Sequence, residues 1–186
     1  MKTTVLVISF VGLISTTLSL PASIEDRAPP GCTSNIVPNA DATISAINSW
    51  NEDVMMVNAF LNTADSLSGT ALSDAATTAF AFADNEPAEL GILACIPNLG
   101  VAANNAIESL ASVFGDDVLN PLETIINEPT NTKAVTSAIN LINSIRCCTV
   151  LPSADALWLA AANALKVESQ VNVVAPLEDA CSKINC

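Results

Sequence analysis

Two adjacent cysteines, Cys147 and Cys148, end a helical pattern in the segment INSIRCCTVLP and bring two thiols together. Adjacent thiols can ligate a metal, act as a reactive pair, or form two disulfides that leave in different directions. A zinc site favours C-x-x-C pairs or histidine partners, and the sequence contains neither. A bond between the two neighbours would close a small, strained ring. The pattern therefore favours two separate disulfides, and we expect no metal and no cofactor.

The cysteine count indicates a disulfide framework in an oxidising compartment. Adjacent side chains on a helix end point about 100° apart, so the pair can reach two different parts of the fold. A mid-chain cysteine is a natural partner for one, and a C-terminal cysteine for the other, which leaves the first cysteine to the C-terminal region. About fifteen connectivities are possible, and the sequence does not select among them. The six cysteines, predicted to form three disulfides, are Cys32, Cys95, Cys147, Cys148, Cys181 and Cys186.

The sequence has no histidine and no tyrosine, which removes the usual general base and the common nucleophile pairs. Carboxylates are the remaining acid–base groups, and adjacent ones occur at Glu52-Asp53, Asp116-Asp117 and Glu178-Asp179. A carboxylate-only hydrolase would need two acids from different helices in one cleft, one with a raised pKa. Neighbours on a helix do not face each other across a substrate. We expect no catalytic residues and keep the hydrolase as an alternative.

The charge balance excludes one class of partner. Six basic residues stand against 19 acidic ones, a net charge of −13. Such a surface repels phosphate backbones, so we expect no nucleic-acid partner.

The N-terminal segment has the layout of a secretory signal peptide. A basic residue, Lys2, precedes an apolar run and then small residues, which predicts a signal peptide over 1–22. The apolar run is shorter than the ~20 residues that span a bilayer, so we expect no transmembrane anchor. A polar, proline-containing leader follows over 23–38, and a helical domain is predicted over 39–186. The expected location is extracellular, with cell-wall association as a further possibility.

Apolar residues recur at steps of three and four from Asp41 onward, which predicts amphipathic helices rather than strands. Asn39 or Asp41 can cap the first helix. Breaks are predicted at Gly69, Gly115 and Pro152. The pattern indicates an all-α, single-domain helical bundle of five to seven helices stapled by disulfides. The predicted stripe of the first helix is Ile44, Ile47, Trp50, Val54, Val57, Leu61 and Ala64.

Five large apolar side chains are candidate contacts for an apolar ligand. Met55 and Met56 lie beside Trp50 and Phe60, and methionine repacks easily around varied partners. Trp158 lies between two leucines, so that run is apolar around more of the helix than one buried stripe requires. The alternative for all five is ordinary core packing.

Several short pieces resemble small secreted helical proteins of fungi that share a VNxFLN…EP…IRCC…VLP…LW arrangement. The pieces here are Val57–Asn62, Glu86-Pro87, Ile145–Cys148, Val150–Pro152 and Leu157-Trp158. The segment DATISAINSWNEDVMMVNAF is similar in texture to fungal hydrophobic surface-binding proteins and cell-wall galactomannoproteins. That resemblance implies an all-α fold that adheres to hydrophobic surfaces or holds fatty acids between helices. The six-cysteine set departs from that family.

The sequence thus predicts a secreted, non-enzymatic binding protein. Its partner would be a lipid or other apolar ligand, a hydrophobic surface, or a cell-wall or host component. The alternative without a specific ligand is a structural component of a wall or matrix.

Overall fold

The computed structural model describes Cys32 and residues 36–186. The predicted signal peptide, 1–22, and most of the leader, 23–38, lie outside the described residues. Within the described part the chain is helical and contains no strands, which confirms the all-α class. The α-helices are α1 (Ala40–Thr63), α2 (Gly69–Ala83), α3 (Glu86–Leu93), α4 (Val101–Val113), α5 (Asn120–Asn127), α6 (Thr132–Ile145) and α7 (Leu151–Leu165).

The number of separate helices is smaller than the predicted five to seven. A π-helical segment, Phe114–Leu119, joins α4 to α5, and another, Arg146–Val150, joins α6 to α7. The described chain therefore forms four helical runs, 40–66, 69–93, 101–127 and 132–165, the second with a turn at 84–85. The breaks predicted at Gly115 and Pro152 are places where a helix continues with wider turns.

The prolines explain why these helices widen instead of ending. The Leu151 amide bonds the Arg146 carbonyl, five residues back, and Pro152 follows immediately. Asn120 closes the other π segment in the same way, and Pro121 follows it. Each proline therefore stands where the bonding changes from five-residue to four-residue spacing, so its missing N–H interrupts the ladder least.

Local capping sets the other helix ends. Asn39 caps α1 as predicted, since its Oδ1 accepts a 2.9 Å bond from the amide of Ala42. Asn131 caps α6 in the same way. Gly69 begins α2 instead of stopping α1, and its φ of +55° is one that glycine adopts without strain.

The core contains side chains from all seven α-helices. Helix α1 packs against α2, α3 and α7, while α4 packs along α7 and α5 lies between α2 and α6. The predicted stripe of α1 faces inward, and Ile47, Trp50, Val54 and Val57 have no exposed surface. The predicted 3.6-residue period is therefore the period of burial.

One described helix, the continuous run Thr132–Leu165, is long and apolar enough to cross a membrane by length and composition. The side chains that make it apolar also supply the core: Ile142, Val150, Leu157 and Trp158 are fully buried. The core helix of a soluble protein has the same composition, so this run is weak support for a membrane span.

The segment after α7 returns across the bundle as a tail, residues 166–186. Asn58 of α1 donates a 2.7 Å hydrogen bond to the Pro176 carbonyl, and Asp155 of α7 accepts one of 2.5 Å from the Ala175 amide. A short 3-10 helix, Asp179–Lys183, completes the tail. Side-chain bonds from α1 and α7 thus hold an irregular segment in a defined position.

Candidate functional site

A buried arginine lies where α6 meets α7. Arg146 begins the π segment, has no exposed surface, and reaches three other segments of the chain. Its Nη1 is 3.3 Å from Glu86 Oε1 of α3, and its Nη2 donates a 2.9 Å bond to Asn58 Oδ1 of α1. Its Nε is 3.7 Å from Glu178 Oε2 of the tail. One guanidinium therefore joins α1, α3, α6 and the tail, and a buried charge of this kind is stable only when paired.

The cluster holds two carboxylates for one cation. Burial raises the pKa of Glu86 to about 7, although Arg146 and a hydrogen bond from Trp50 lower it. Burial also raises the pKa of Glu178, and Arg146 lowers it. Because the charged forms are desolvated, Glu86 can take up a proton near neutral pH.

This acid pair meets two requirements of a carboxylate hydrolase and fails the third. Glu86 and Glu178 come from different segments, and the pKa of Glu86 is raised. Their side chains and that of Arg146 have no exposed surface, so no cleft opens on them. The geometry suits a structural ion cluster and gives a substrate no access to these acids.

The adjacent cysteines both bond to the tail. Cys147 is linked to Cys181, and Cys148 to Cys186. The prediction that the pair forms two separate disulfides is confirmed, but both lead to one segment rather than to two parts of the bundle. The structure therefore places a double covalent clamp on the tail.

The third disulfide corrects the predicted pairing. Cys95 is bonded to Cys32, not to either adjacent cysteine, and Cys32 is not joined to the C-terminal region. The prediction of a bond from Cys95 to one of the adjacent cysteines rested on its position in the middle of the chain. The turn that follows α3 is instead linked to Cys32.

One group of potential ligand atoms involves the clamp. Cys147, Cys181 and Glu178 place two sulfurs and a carboxylate within 4.8 Å of one another. The two sulfurs are bonded to each other. The group therefore supplies a single carboxylate, which already pairs with Arg146.

The five candidate apolar contacts do not share one surface. Trp50 and Trp158 are fully buried and pack edge to face with centroids 5.7 Å apart, a favoured aromatic geometry. Phe60 is also buried, whereas Met55 and Met56 are 55% and 41% exposed. The two indoles occupy the interior as core, and the methionines lie on the outer side of α1.

Two grooves on the surface of the described bundle exceed 500 Å³. One, of about 560 Å³, runs between α4 and α7 and is lined by leucine, alanine and asparagine. The other, of about 610 Å³, lies between the end of α1, α6 and the tail, and most of its lining is polar. Both volumes fall in the range of about 300–1,000 Å³ that is typical of small-molecule sites.

Sequence reasoning did not identify Arg146 as the centre of a cluster. A signal was present, since Arg146 continues the apolar positions Ile139 and Ile142 of α6. The sequence has six basic residues, and Arg146 lies on the buried stripe of its helix. A buried basic side chain requires buried acidic partners. Glu86 and Glu178 were not identifiable as its partners, because they are 60 and 32 residues away in sequence.

Comparison with known proteins adds no relative: no family model, curated protein or solved structure matches this chain.

Proposed function

We propose that this chain is an extracellular, non-enzymatic binding protein that takes a neutral apolar ligand into the groove between α4 and α7. The observation that carries the proposal is the lining of this groove, in which none of the nine residues is charged. The lining residues are Asn98, Leu99, Ala102, Ala103, Ala156, Leu159, Ala160, Asn163 and Ala164.

The small side chains create the groove. Alanines on both helices leave space that larger residues would fill, while Leu99 and Leu159 supply apolar surface. Leu159 is 47% exposed, although it belongs to a helix whose other large residues are mostly buried. An apolar ligand that covered Leu159 would remove this surface from water, which is favourable by about 25 cal/mol per Å².

The polar groups of the groove favour a neutral ligand. Asn98 and Asn163 are its only side chains with hydrogen-bonding groups, and both are amides. The chain carries a net charge of −13, so an anionic head group would approach against the field of the whole protein. The ligand class is therefore a neutral lipid or a similar molecule with an uncharged polar end.

The disulfides support the extracellular location in the proposal, and the buried acids support the non-enzymatic role. Three disulfides are typical of proteins in oxidising compartments, which agrees with secretion. The carboxylates that converge at Arg146 are buried, which favours a non-enzymatic role.

A fluorescence titration tests the site. The neutral probe N-phenyl-1-naphthylamine should bind the full chain and be displaced by monoolein. Leu159→Asp should weaken probe binding by about tenfold or more, since a covered leucine contributes roughly 1.5–3 kcal/mol. Ala164→Phe, which fills the groove from an exposed position, should weaken it as well.

The matched control is Leu177→Asp, because Leu177 is an exposed leucine on the tail, outside this groove. It should leave binding unchanged. Equal loss in Leu159→Asp and Leu177→Asp, or no binding by the parent chain, would contradict the proposal and favour a structural component without a ligand.

A further inference from the structure

The larger groove has a different chemical character from the α4–α7 groove. It is bounded by the end of α1, one face of α6 and the 3-10 helix of the tail. Leu61 and Ile139 are buried and form an apolar floor. Ala180 and Ile184 of the tail add to the apolar lining, and the rest of the lining is polar: Asn62, Asp65, Thr136, Asn140, Asn143, Ser144, Asp179 and Lys183.

Helical spacing gathers the polar groups of α6. Thr136, Asn140 and Asn143 are separated by four and three residues, so they lie one above another on one face. An amphipathic helix normally exposes such a polar face to water. Here it faces a groove of about 610 Å³ across from Asn62 of α1.

One polar atom of this face has no partner among the described residues. Oδ1 of Asn143 is buried and accepts no hydrogen bond. A buried acceptor without a donor costs roughly 1–3 kcal/mol. Asn143 lines the groove and is itself only partly buried, so a turn of its side-chain amide toward the groove would let a donor on a ligand remove this cost.

The wall of the groove opposite α6, formed by the end of α1 and the tail, is fixed in place. Asn62 Oδ1 accepts a 2.8 Å bond from the Asp179 amide, which orients the Asn62 side-chain amide and joins α1 to the tail. Cys181 lies two residues further and is clamped to Cys147. Because the tail is held covalently, little further ordering is needed when a ligand binds.

The charges in the groove disfavour anionic ligands. Asp65 and Asp179 disfavour anions, as does the net charge of −13. Lys183 reduces the attraction for cations. Most of the polar lining is uncharged amide and hydroxyl, which favours a neutral ligand rich in groups that both donate and accept hydrogen bonds.

We propose that this groove binds a neutral polyhydroxylated ligand, namely a short saccharide. A side-chain amide presents a donor and an acceptor in one plane, and neighbouring hydroxyls of a sugar present the same two functions. Asn140 and Asn143 would bond two such hydroxyls, one of which satisfies Oδ1 of Asn143. Leu61 and Ile139 would pack against the C–H face of the ring. The proposal is independent of the α4–α7 site.

Saturation-transfer NMR with defined trisaccharides tests this site. Mannotriose, laminaritriose and chitotriose are each mixed with the full chain in the millimolar range. At least one should receive saturation from the protein and show a measurable Kd. Asn140→Ala should weaken that Kd several-fold, and Asn140→Ala/Asn143→Leu by about tenfold, since two hydrogen bonds are lost.

Asn105→Ala is the matched control, because Asn105 is an exposed asparagine on α4, outside the groove. It should leave the Kd unchanged, as should Leu159→Asp in the other groove. Thermal unfolding of each variant confirms that it is folded. Failure of all three sugars to bind, or equal binding by the parent chain and the double variant, would overturn the proposal.

Discussion

The indole Nε1 of Trp50 donates a 2.8 Å hydrogen bond to Oε2 of Glu86, and neither side chain has exposed surface. The bond joins α1 to α3 across 36 residues of sequence. It leaves the other carboxylate oxygen of Glu86 to face Arg146. Because Glu86 is fully buried between these two partners, its protonation couples the stability of the protein to pH.

Stability should fall as pH rises from mildly acidic to neutral values. The ordinary pKa of Glu86 is 4.5 and burial raises it to about 7 in the fold, so the native state holds a proton that the unfolded chain has released. This contribution is fully present below pH 4.5 and is lost as pH rises through 7, on the order of 3 kcal/mol. Burial also raises the pKa of Asp53, Asp155 and Glu178, which acts in the same direction.

Urea unfolding at pH 4.5, 6 and 8 measures this effect. Glu86→Gln keeps a polar side chain of similar size, and it should flatten the slope between pH 4.5 and 7. Asp74→Asn, at an exposed position on α2, should leave it unchanged. A free energy of unfolding that increases over this range would contradict the role of Glu86.

Arg146→Met should destabilise the fold by about 3–5 kcal/mol at neutral pH, because it leaves buried carboxylates without their cation. Adding Glu86→Gln to Arg146→Met should recover part of this loss, since one of the uncompensated charges is removed. Denaturant unfolding gives both values. Lys133→Met provides the control, since Lys133 is exposed on α6 and its replacement should change stability by less than about 0.5 kcal/mol. If Arg146→Met and Lys133→Met change the free energy of unfolding by similar amounts, the cluster does not stabilise the fold.

Trp50→Phe should cost about 1–3 kcal/mol more than Trp158→Phe. Both indoles are fully buried and pack against each other, so each substitution removes a similar apolar area. Only Trp50 has a partner for its Nε1, while Nε1 of Trp158 has none among the described residues. Unfolding free energies of the two variants make the comparison, and equal losses would mean that the bond to Glu86 adds nothing.

The two disulfides of the clamp should differ in their contribution to the free energy of unfolding. Cys147–Cys181 and Cys148–Cys186 span 34 and 38 residues, so restriction of the unfolded chain gives each about 3–4 kcal/mol. Cys147 is buried beside Glu178, whereas Cys148 is partly exposed. Replacement of the first pair by serine should therefore cost about 1 kcal/mol more, because position 147 then exchanges a buried sulfur for a polar hydroxyl, whereas a hydroxyl at position 148 keeps access to water.

Thermal and urea unfolding of the two double-serine variants tests this order. Peptide mapping of the unreduced protein tests the pairing itself. A peptide linking Cys95 to either adjacent cysteine would contradict the connectivity, and a greater loss in the Cys148/Cys186 variant would contradict the ranking.

The helices were predictable because they depend on local patterns. The 3.6-residue period of α1 predicted which of its side chains are buried, and Asn39 caps it as expected. The points at which one helix ends and the next begins were not predictable by the same rules. Pro152 normally starts or stops a helix, and only the five-residue hydrogen bond to Arg146 shows that this helix continues.

The sites depend on contacts between distant residues, which a single sequence does not specify. Arg146 meets Glu86 and Glu178 only because α3 and the tail cross the end of α6. The number of disulfides was predictable from the cysteine count, while their pairing needed the path of the tail. Trp158 was ambiguous between surface and core, since its neighbours on both sides are leucines.

The clamp on the tail also determines how the protein responds to a protease. A single cut in the irregular stretch 167–178 would open a loop without releasing a fragment, because Cys147 and Cys148 still hold the distal piece. The cut protein would remain two polypeptides joined by disulfides, with the ion pair between Arg146 and Glu178 in place. Only reduction would separate the two polypeptides. Under oxidising conditions, this protein therefore has a segment that a protease can cut without releasing it.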